Sequence, residues 1–307
     1  MAKYVWNRLL VSVPVLLGSL TLVFLIIHWL PGDPAQMIAG DDAAPDRVEF
    51  LRQQFGLDQP LWQQYLSYLW DSVRGDFGYS FANSMPVMDR LIAQLPATLA
   101  LTAVSTLFAI VLGVLLGILS AVYRNRALDY IVRVVSLLGV SMPKFWLGIL
   151  LILIFSVHLK LLPAIGNGSF KQLILPAFAL GVTGAGMLAR MVRNSVLEVI
   201  HEQFVLTLRA KGLSERLVLY KHVLRNALLP ALTVLGLLVG EMLSGAVVTE
   251  TVFSRQGLGK LVVDAINQKD IPVIQAAILL TGVFNILVNL LVDVSYSYVD
   301  PRVRKSA

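Results

Sequence analysis

The chain has 307 residues, of which 57% are hydrophobic and only 14% charged, and its mean hydropathy is +0.74. Soluble domains carry about 25% charged and about 45–50% apolar residues, so a water-soluble fold of this composition lacks the polar surface to cover itself. Cysteine is absent, which excludes disulfide scaffolds, thiolate zinc sites and cysteine nucleophiles, and His28, His158, His201 and His222 are too scattered for a metal cage. A net charge of +6 and a pI near 9.6 would suit nucleic acid, but no basic stripe alternates with aromatics. In so apolar a chain the excess of Lys and Arg orients loops across a membrane instead. The composition is that of an all-α integral membrane protein.

At the N-terminus Lys3 and Arg8 precede an apolar run. It is longer than a signal-peptide core and has no small-residue cleavage site after it, so it reads as a retained first span. Six apolar segments follow the chain at about 9–29, 97–121, 130–157, 173–191, 229–248 and 273–294, each near the roughly 20 residues that cross a bilayer. The third contains Arg133 and Pro143-Lys144, and a proline there predicts a kink.

Charge counting fixes the parity. With the N-terminus inside, the cytoplasmic parts hold Lys3 and Arg8; Arg124, Arg126 and Arg133; the seven basic residues of 190–225; and Arg302, Arg304 and Lys305. The first loop, 31–96, holds nine acidic residues against Arg47, Arg52, Arg74 and Arg90, as an external loop should. Six transmembrane helices with both termini cytoplasmic are expected. The division is then 1–30 for the first span, 31–96 for an external loop with short helices, 97–294 for a five-helix core with a cytoplasmic loop at 192–228, and 295–307 for the tail.

The external loop is too long to lack structure. Pro60 fits the first turn of a helix, with Asp58 or Gln59 near its cap. Leu61, Trp62, Tyr65, Leu66, Leu69 and Trp70 then recur at helical spacing. Such a stripe lies on the membrane surface, docks a partner, or packs on the outer ends of the spans.

Between the fourth and fifth spans, Leu197, Ile200, Phe204 and Leu208 share one face of a predicted helix that ends with Lys211 and stops at Gly212. Ser214 caps a second helix carrying Leu217, Val218, Val223 and Leu224 before Asn226 and Pro230. The ordinary alternative is a basic loop that only sets topology.

This stretch resembles the signature loop of the inner-membrane permease subunits of binding-protein-dependent ABC importers. Their pattern is Glu-Ala-Ala, three residues, Gly, nine residues, then Ile-x-Leu-Pro. Gly212 and Leu224 keep the spacing; Leu206-Thr207-Leu208 stands at the triplet, His222 at the Ile and Arg225 at the Pro. The dipeptide, oligopeptide and nickel branch has the form present here as Arg209-Ala210-Lys211-Gly212-Leu213 and His222 through Pro230. Leu30-Pro31-Gly32-Asp33-Pro34-Ala35, Gly56-Leu57-Asp58-Gln59-Pro60, Gly75-Asp76-Phe77-Gly78 with Ser80, Thr249-Glu250-Thr251-Val252-Phe253 with Gly257-Leu258-Gly259, and Val299-Asp300-Pro301-Arg302 agree with that branch. The resemblance covers nearly the whole chain.

It implies an ABC transmembrane type-1 fold in a bacterial inner membrane and half of a translocation path for di- or oligopeptides. Nickel, a metal chelate or glutathione are the alternatives. The implied partners are a second homologous permease in a heterodimer, two ATPase subunits and an external solute-binding protein. No cofactor is implied on this chain, since ATP and Mg would bind the ATPases. Glu202 through Leu224 would seat in an ATPase groove, with Gly212 setting the turn and Arg209 and Lys211 pairing with acidic groups of the ATPase. Asp58, Trp62 and Asp76 would help dock the binding protein.

Charges within spans cost roughly 2.5–3.5 kcal/mol on insertion scales and should face a partner or a wet path. Lys144 marks the break in the third span, and Asp293 is expected to be structural near the cytoplasmic end. Glu241, with Ser244 nearby, is a path candidate that would meet a cation such as a peptide amino terminus; the ordinary alternative is a paired structural glutamate. Gly257-Leu258-Gly259-Lys260 lacks a P-loop's upstream glycine (Ser254) and following hydroxyl (Leu261), and His201-Glu202 lacks a second histidine at Val205, so no enzyme activity is expected. A self-sufficient channel or secondary transporter is the competing class.

Overall fold

The computed structural model describes residues 2–29, 34–39, 43–54 and 56–299. Leu30-Pro31-Gly32-Asp33, the side chain of Asp293, Asp300-Pro301-Arg302, Arg304 and Lys305 lie outside the described residues. Every regular element among the described residues is helical, and an isolated bridge between Tyr79 and Pro86 is the extended pairing there. In order these are α1 (Ala2–Trp29), α2 (Pro34–Ala39), α3 (Pro45–Gln54), α4 (Leu61–Arg74), α5 (Val87–Val122), α6 (Ala127–Ser141) and α7 (Lys144–Leu151), which runs into a π-helical stretch (Ile152–His158). Then come α8 (Lys171–Val199), α9 (Gln203–Ala210), α10 (Glu215–Leu217), a second π-helical stretch (Val218–Val223), α11 (Leu224–Ala227), α12 (Leu229–Val252), α13 (Leu258–Asn267) and α14 (Ile271–Val299).

Among the described residues, four segments are long and apolar enough to cross a bilayer: Val87–Val122, Lys171–Val199, Val234–Val252 and Ile271–Leu291. A fifth follows if α6 and α7 with its extension make one crossing, and α1 adds a shorter apolar stretch, Leu10–Ile26. The predicted third span is thus not a rod, because α6 and α7 meet at 108°. Pro143 is the cause. Its ring bars Met142 from the helical region, and Met142 is extended at ψ 131, as is Pro143 at ψ 132.

The second span begins earlier than hydropathy suggests, at Val87 rather than residue 97, and passes through Pro96. Asp89, Arg90 and Gln94 hide these turns from an apolar count. Val87 and Leu91 nonetheless pack, fully buried, against Leu258, Leu261, Ala265 and Val273. Arg90 donates to the buried Asp270 at 3.0 Å, and Asp270 also accepts from the Phe81 N–H at 2.9 Å and from the Ser80 hydroxyl. The Gly75-to-Ser80 turn is thereby tied to the start of α14.

In the first loop α4 forms as the spacing predicts, but Pro60 is itself the cap residue, with φ −56 and ψ 142 and no side-chain cap. The Pro60 carbonyl accepts from the Gln63 and Gln64 N–H groups, so neither Asp58 nor Gln59 is needed. The apolar stripe is split between two surroundings. Tyr65 faces α1, where its hydroxyl lies 2.6 Å from that of Thr21, while Leu61, Trp62, Leu66 and Trp70 stay exposed.

The centre of the molecule is the crossing of α5 and α8. A Cβ on Gly117 would stand 2.7 Å from the Ala189 carbonyl oxygen, and one on Gly113 would stand 2.9 Å from that of Ala185. The two backbones touch because these positions lack side chains, which is how membrane helices gain dispersion contact without a hydrophobic driving force. Leu101, Leu180, Leu188 and Val192 are fully buried around the crossing. Gly117→Ala therefore forces apart two backbones, costing at least the roughly 1–3 kcal/mol of ordinary overpacking. It is expected to lower the thermal midpoint of the detergent-solubilised protein. Gly18→Ala on α1, whose Cβ meets nothing within 4 Å, is the control expected to leave it unchanged.

Candidate functional site

Before Gly212 the 190–225 stretch folds as two helical pieces rather than the single helix predicted there. α8 ends at Val199, and the Ile200, His201 and Glu202 N–H groups close a turn onto Val196, Glu198 and Val199. Glu202 is extended at ψ 149 and starts α9. The break rotates the next residues. Val205 points inward at 0% exposure, and Phe204, expected to share a face with Leu197, Ile200 and Leu208, is 37% exposed. Leu208 and Leu213 are half-buried against the main core, while Glu202, Leu206, Thr207, Ala210, Lys211 and Gly212 are exposed.

Gly212 takes φ +80, a left-handed turn that ends α9 without a steric penalty, and nothing lies within 4 Å of where its Cβ would be. Ser214 then accepts from the Leu217 N–H at 3.4 Å, as a cap should. Arg209 does not wait for an external acid. Its Nε and Nη2 donate to the two Glu215 carboxylate oxygens at 2.8 and 3.1 Å, bracing the two sides of the Gly212 turn. Lys211 stays exposed. Leu224 is buried, and His222 is half-buried in the second π-helical stretch, where its carbonyl accepts from the Asn226 amide at 3.0 Å. The outward surface of this segment carries Leu206, Leu217 and Tyr220, all exposed.

A buried ionic node, missed in the sequence reading, fixes α8 where it meets this segment. Asp129, at 0% exposure, accepts from Arg193 Nε and Nη2 at 2.8 and 2.9 Å, from the Ser120 hydroxyl at 2.6 Å and from the Asn125 N–H at 3.0 Å. Arg133 Nε is 3.4 Å away. The node joins the end of α5, the start of α6 and the C-terminal half of α8. Its only sequence signal was an acid between Arg126 and Arg133 at the head of an apolar segment.

Two of the three path candidates meet. Lys144, first residue after the α6–α7 break, donates to Glu241 of α12 at 2.9 Å, with side chains 21% and 49% exposed. Gly245 leaves room for the lysine, since a Cβ there would stand 3.0 Å from its Nζ. Ser244 instead bonds back to the Gly240 carbonyl of its own helix at 3.3 Å.

The Thr249-to-Gly259 motif gains a structural role. Glu250 is fully buried and accepts from the Thr98 hydroxyl at 2.6 Å and from the Gly259 and Lys260 N–H groups at 2.8 and 3.2 Å. The start of α13 is thus filled by the chain's own carboxylate. Lys260 pairs with Asp264 at 2.9 Å. Gly257 through Lys260 is a packed helix start, without an open phosphate cradle.

The proposed docking residues bracket α4. Asp58 is exposed in the turn before it, Trp62 is exposed in its first turn, and Asp76, just beyond its end, accepts from the Gly78 N–H at 3.0 Å. The structure does not gather them into one cluster, because the helix between them is about 21 Å long. Beside α4 lies a cavity of about 450 Å³ lined by His28, Gln64, Tyr68, Asp71, Phe81 and Gln275, among others. Burial pushes the Tyr68 phenol up to about 12.

Comparison with known proteins agrees along the whole chain. The family described as binding-protein-dependent transport system inner membrane component matches residues 113–305, and its N-terminal counterpart matches residues 1–102. The glutathione transport system permease protein GsiC of Escherichia coli strain K12 is 45% identical over 304 residues, covering 99% of each chain. GsiC of Shigella flexneri serotype 5b matches to the same extent. Among solved structures, the inward-facing MetNI methionine ABC transporter superposes with a TM-score of 0.57 at 23% identity, covering 69% of this chain and 97% of that one. That likeness establishes the fold, a type-1 ABC transporter membrane fold. A helical membrane protein with an exposed glycine-turned segment joined to its core, matched by these families from end to end, belongs to the binding-protein-dependent transport system inner membrane components: it is a permease subunit of an ABC importer in the bacterial inner membrane.

Proposed function

We propose that this permease forms one half of a path for small peptides, glutathione among them, and that it pairs with a second, homologous permease. Two separate ATPase subunits carry ATP and Mg, and an external binding protein delivers the solute to the loop that holds Asp58 and Asp76. In this reading α6 and α7 make one crossing. That gives six spans, keeps the basic 190–225 stretch in the cytoplasm and puts both termini there.

The observation that carries the coupling role is the rigid link from the exposed α9–Gly212–α10 surface into the core. Val205, Val218 and Val223 anchor it, at 0%, 1% and 0% exposure. Arg193 on Asp129 ties the adjoining end of α8 to α5 and α6. An ATPase gripping Leu206, Lys211 and Tyr220 would therefore move three spans together. ATP acts by favouring one of two arrangements through contacts that differ between them. Gly212→Asp strains a left-handed turn while touching no neighbour, so in a mild-detergent pull-down from native membranes it is expected to lose the ATPase and keep the second permease. Retention of the ATPase at the wild-type level would overturn the coupling assignment.

The peptide reading draws on Lys144 and Glu241. A zwitterionic solute brings a carboxylate and an ammonium, each able to take one member of this pair as its partner in passage. The glutathione named for the Escherichia coli relative is such a solute and is the first to test. Because the glutamate is about half exposed, exchanging its partner involves about 1 kcal/mol, or about fivefold in rate. Glu241→Gln and Lys144→Gln are each expected to slow glutathione uptake into proteoliposomes about fivefold, with ATPase activity in the absence of solute unchanged. Unaltered uptake in both variants would remove the pair from the path.

A further inference from the structure

We propose that α4 is an interfacial helix whose outward face rests in the outer-leaflet headgroup region of the bilayer, making lipid its resident partner. Trp62, Leu66, Trp70 and Val73 recur every three or four residues and so share one side of the helix. They are 61%, 55%, 58% and 80% exposed. The opposite side is already occupied. Gln64 meets His28 at 3.1 Å, Tyr65 meets Thr21 at 2.6 Å, and Phe24 contacts the Tyr65 and Tyr68 rings with centroids 5.2 and 5.8 Å away. No rotation of α4 can bury the outward stripe within this chain without breaking those contacts.

The place of the contacts names the occupant. Thr21, Phe24 and His28 belong to the last turns of α1, an apolar helix of a membrane protein, and Thr21 lies about 12 Å along the axis from Trp29. On the same turns Leu22 and Ile26 face outward at 61% and 54% exposure. The stripe of α4 therefore lies beside the last turns of α1, whose apolar stretch ends at Ile26, at the level where that helix leaves the acyl chains. Tryptophans concentrate at this depth because their rings are apolar with a polar edge. The chemistry of the ends fits as well. Arg74 lies 4.4 Å from the centroid of the Trp70 ring, a pairing that holds the cation at the edge of the stripe within reach of phosphates. Ser67 and Asp71, on another side of the helix, are exposed and line the cavity beside α4. A binding protein that leaves after each delivery would expose two tryptophans, a leucine and a valine to water between cycles, a patch of the kind soluble surfaces avoid. Trp62 is accordingly assigned to lipid instead of to binding-protein docking.

Because the chain has no cysteine, single nitroxides can be attached after Leu66→Cys, Val73→Cys or, as a reference on the polar helix α3, Asp46→Cys in the whole importer with any cysteines of the other subunits replaced, reconstituted in nanodiscs and checked for wild-type ATPase activity. Collision with oxygen, which partitions into lipid, is compared with collision with a water-soluble nickel chelate. The oxygen-to-nickel ratio at Leu66 and Val73 is expected to be severalfold higher than at Asp46 and unaffected by adding binding protein. Ratios equal to that of Asp46 would leave the face in water and overturn the proposal. Low access to both reagents would assign the face to the second permease, and protection from the nickel chelate only after binding protein is added would assign it to docking; either result also overturns it.

Discussion

The rest of the molecule depends on the backbone contact between α5 and α8. Within a bilayer, lipid chains are as apolar as leucine, so helices gain nothing by hiding hydrocarbon from water and must associate through close packing. Gly113 and Gly117 let α5 lie against the Ala185 and Ala189 carbonyls of α8, and the large side chains of Leu101, Leu180 and Leu188 fill the flanks. With those two helices fixed, α6 and α12 find their places on α8, and α13 and α14 close on the extended outer turns of α5.

Buried polar groups secure the two ends of this packed centre, and each is satisfied by several partners rather than one. At one end Asp129 is met by Arg193, Ser120 and the Asn125 N–H; at the other Glu250 is met by Thr98 and the first N–H groups of α13. Leaving a buried charge without its partner costs about 3–5 kcal/mol, so these nodes hold helix ends in register. Between them sits the half-open Lys144–Glu241 pair, joined at 2.9 Å. In the proposed function, motion would enter along α8 from the Gly212 segment, and the solute would be met at this pair, where the structure can exchange partners.

Several elements were legible because their physics is local. The proline break in the third segment, the glycine stop at Gly212, the Ser214 cap and the α4 helix all follow from backbone rules that act within a few residues. The membrane class followed from composition alone. Other features were not legible. The first ten residues of α5 are polar enough to look like loop, and only their burial of Val87 and Leu91 against α13 and α14 reveals a helix. Arg209 reads as a cation awaiting an external acid until Glu215 is found folded back across the turn. Trp62 and Tyr65 belong to one stripe in sequence, yet one faces out and the other meets Thr21.

The sequence by itself determined that this is a helical membrane protein, where most of its apolar segments run, where they break, and where the basic stretch with its glycine turn lies. These depend on hydropathy, charge and turn chemistry, which are properties of neighbours along the chain. Tertiary structure alone decided that Lys144 meets Glu241, that Asp129 takes Arg193 from a helix sixty-four residues away, and that Glu250 fills the start of α13. Such pairings depend on how helices cross in space, and no periodicity within one helix records the orientation of another.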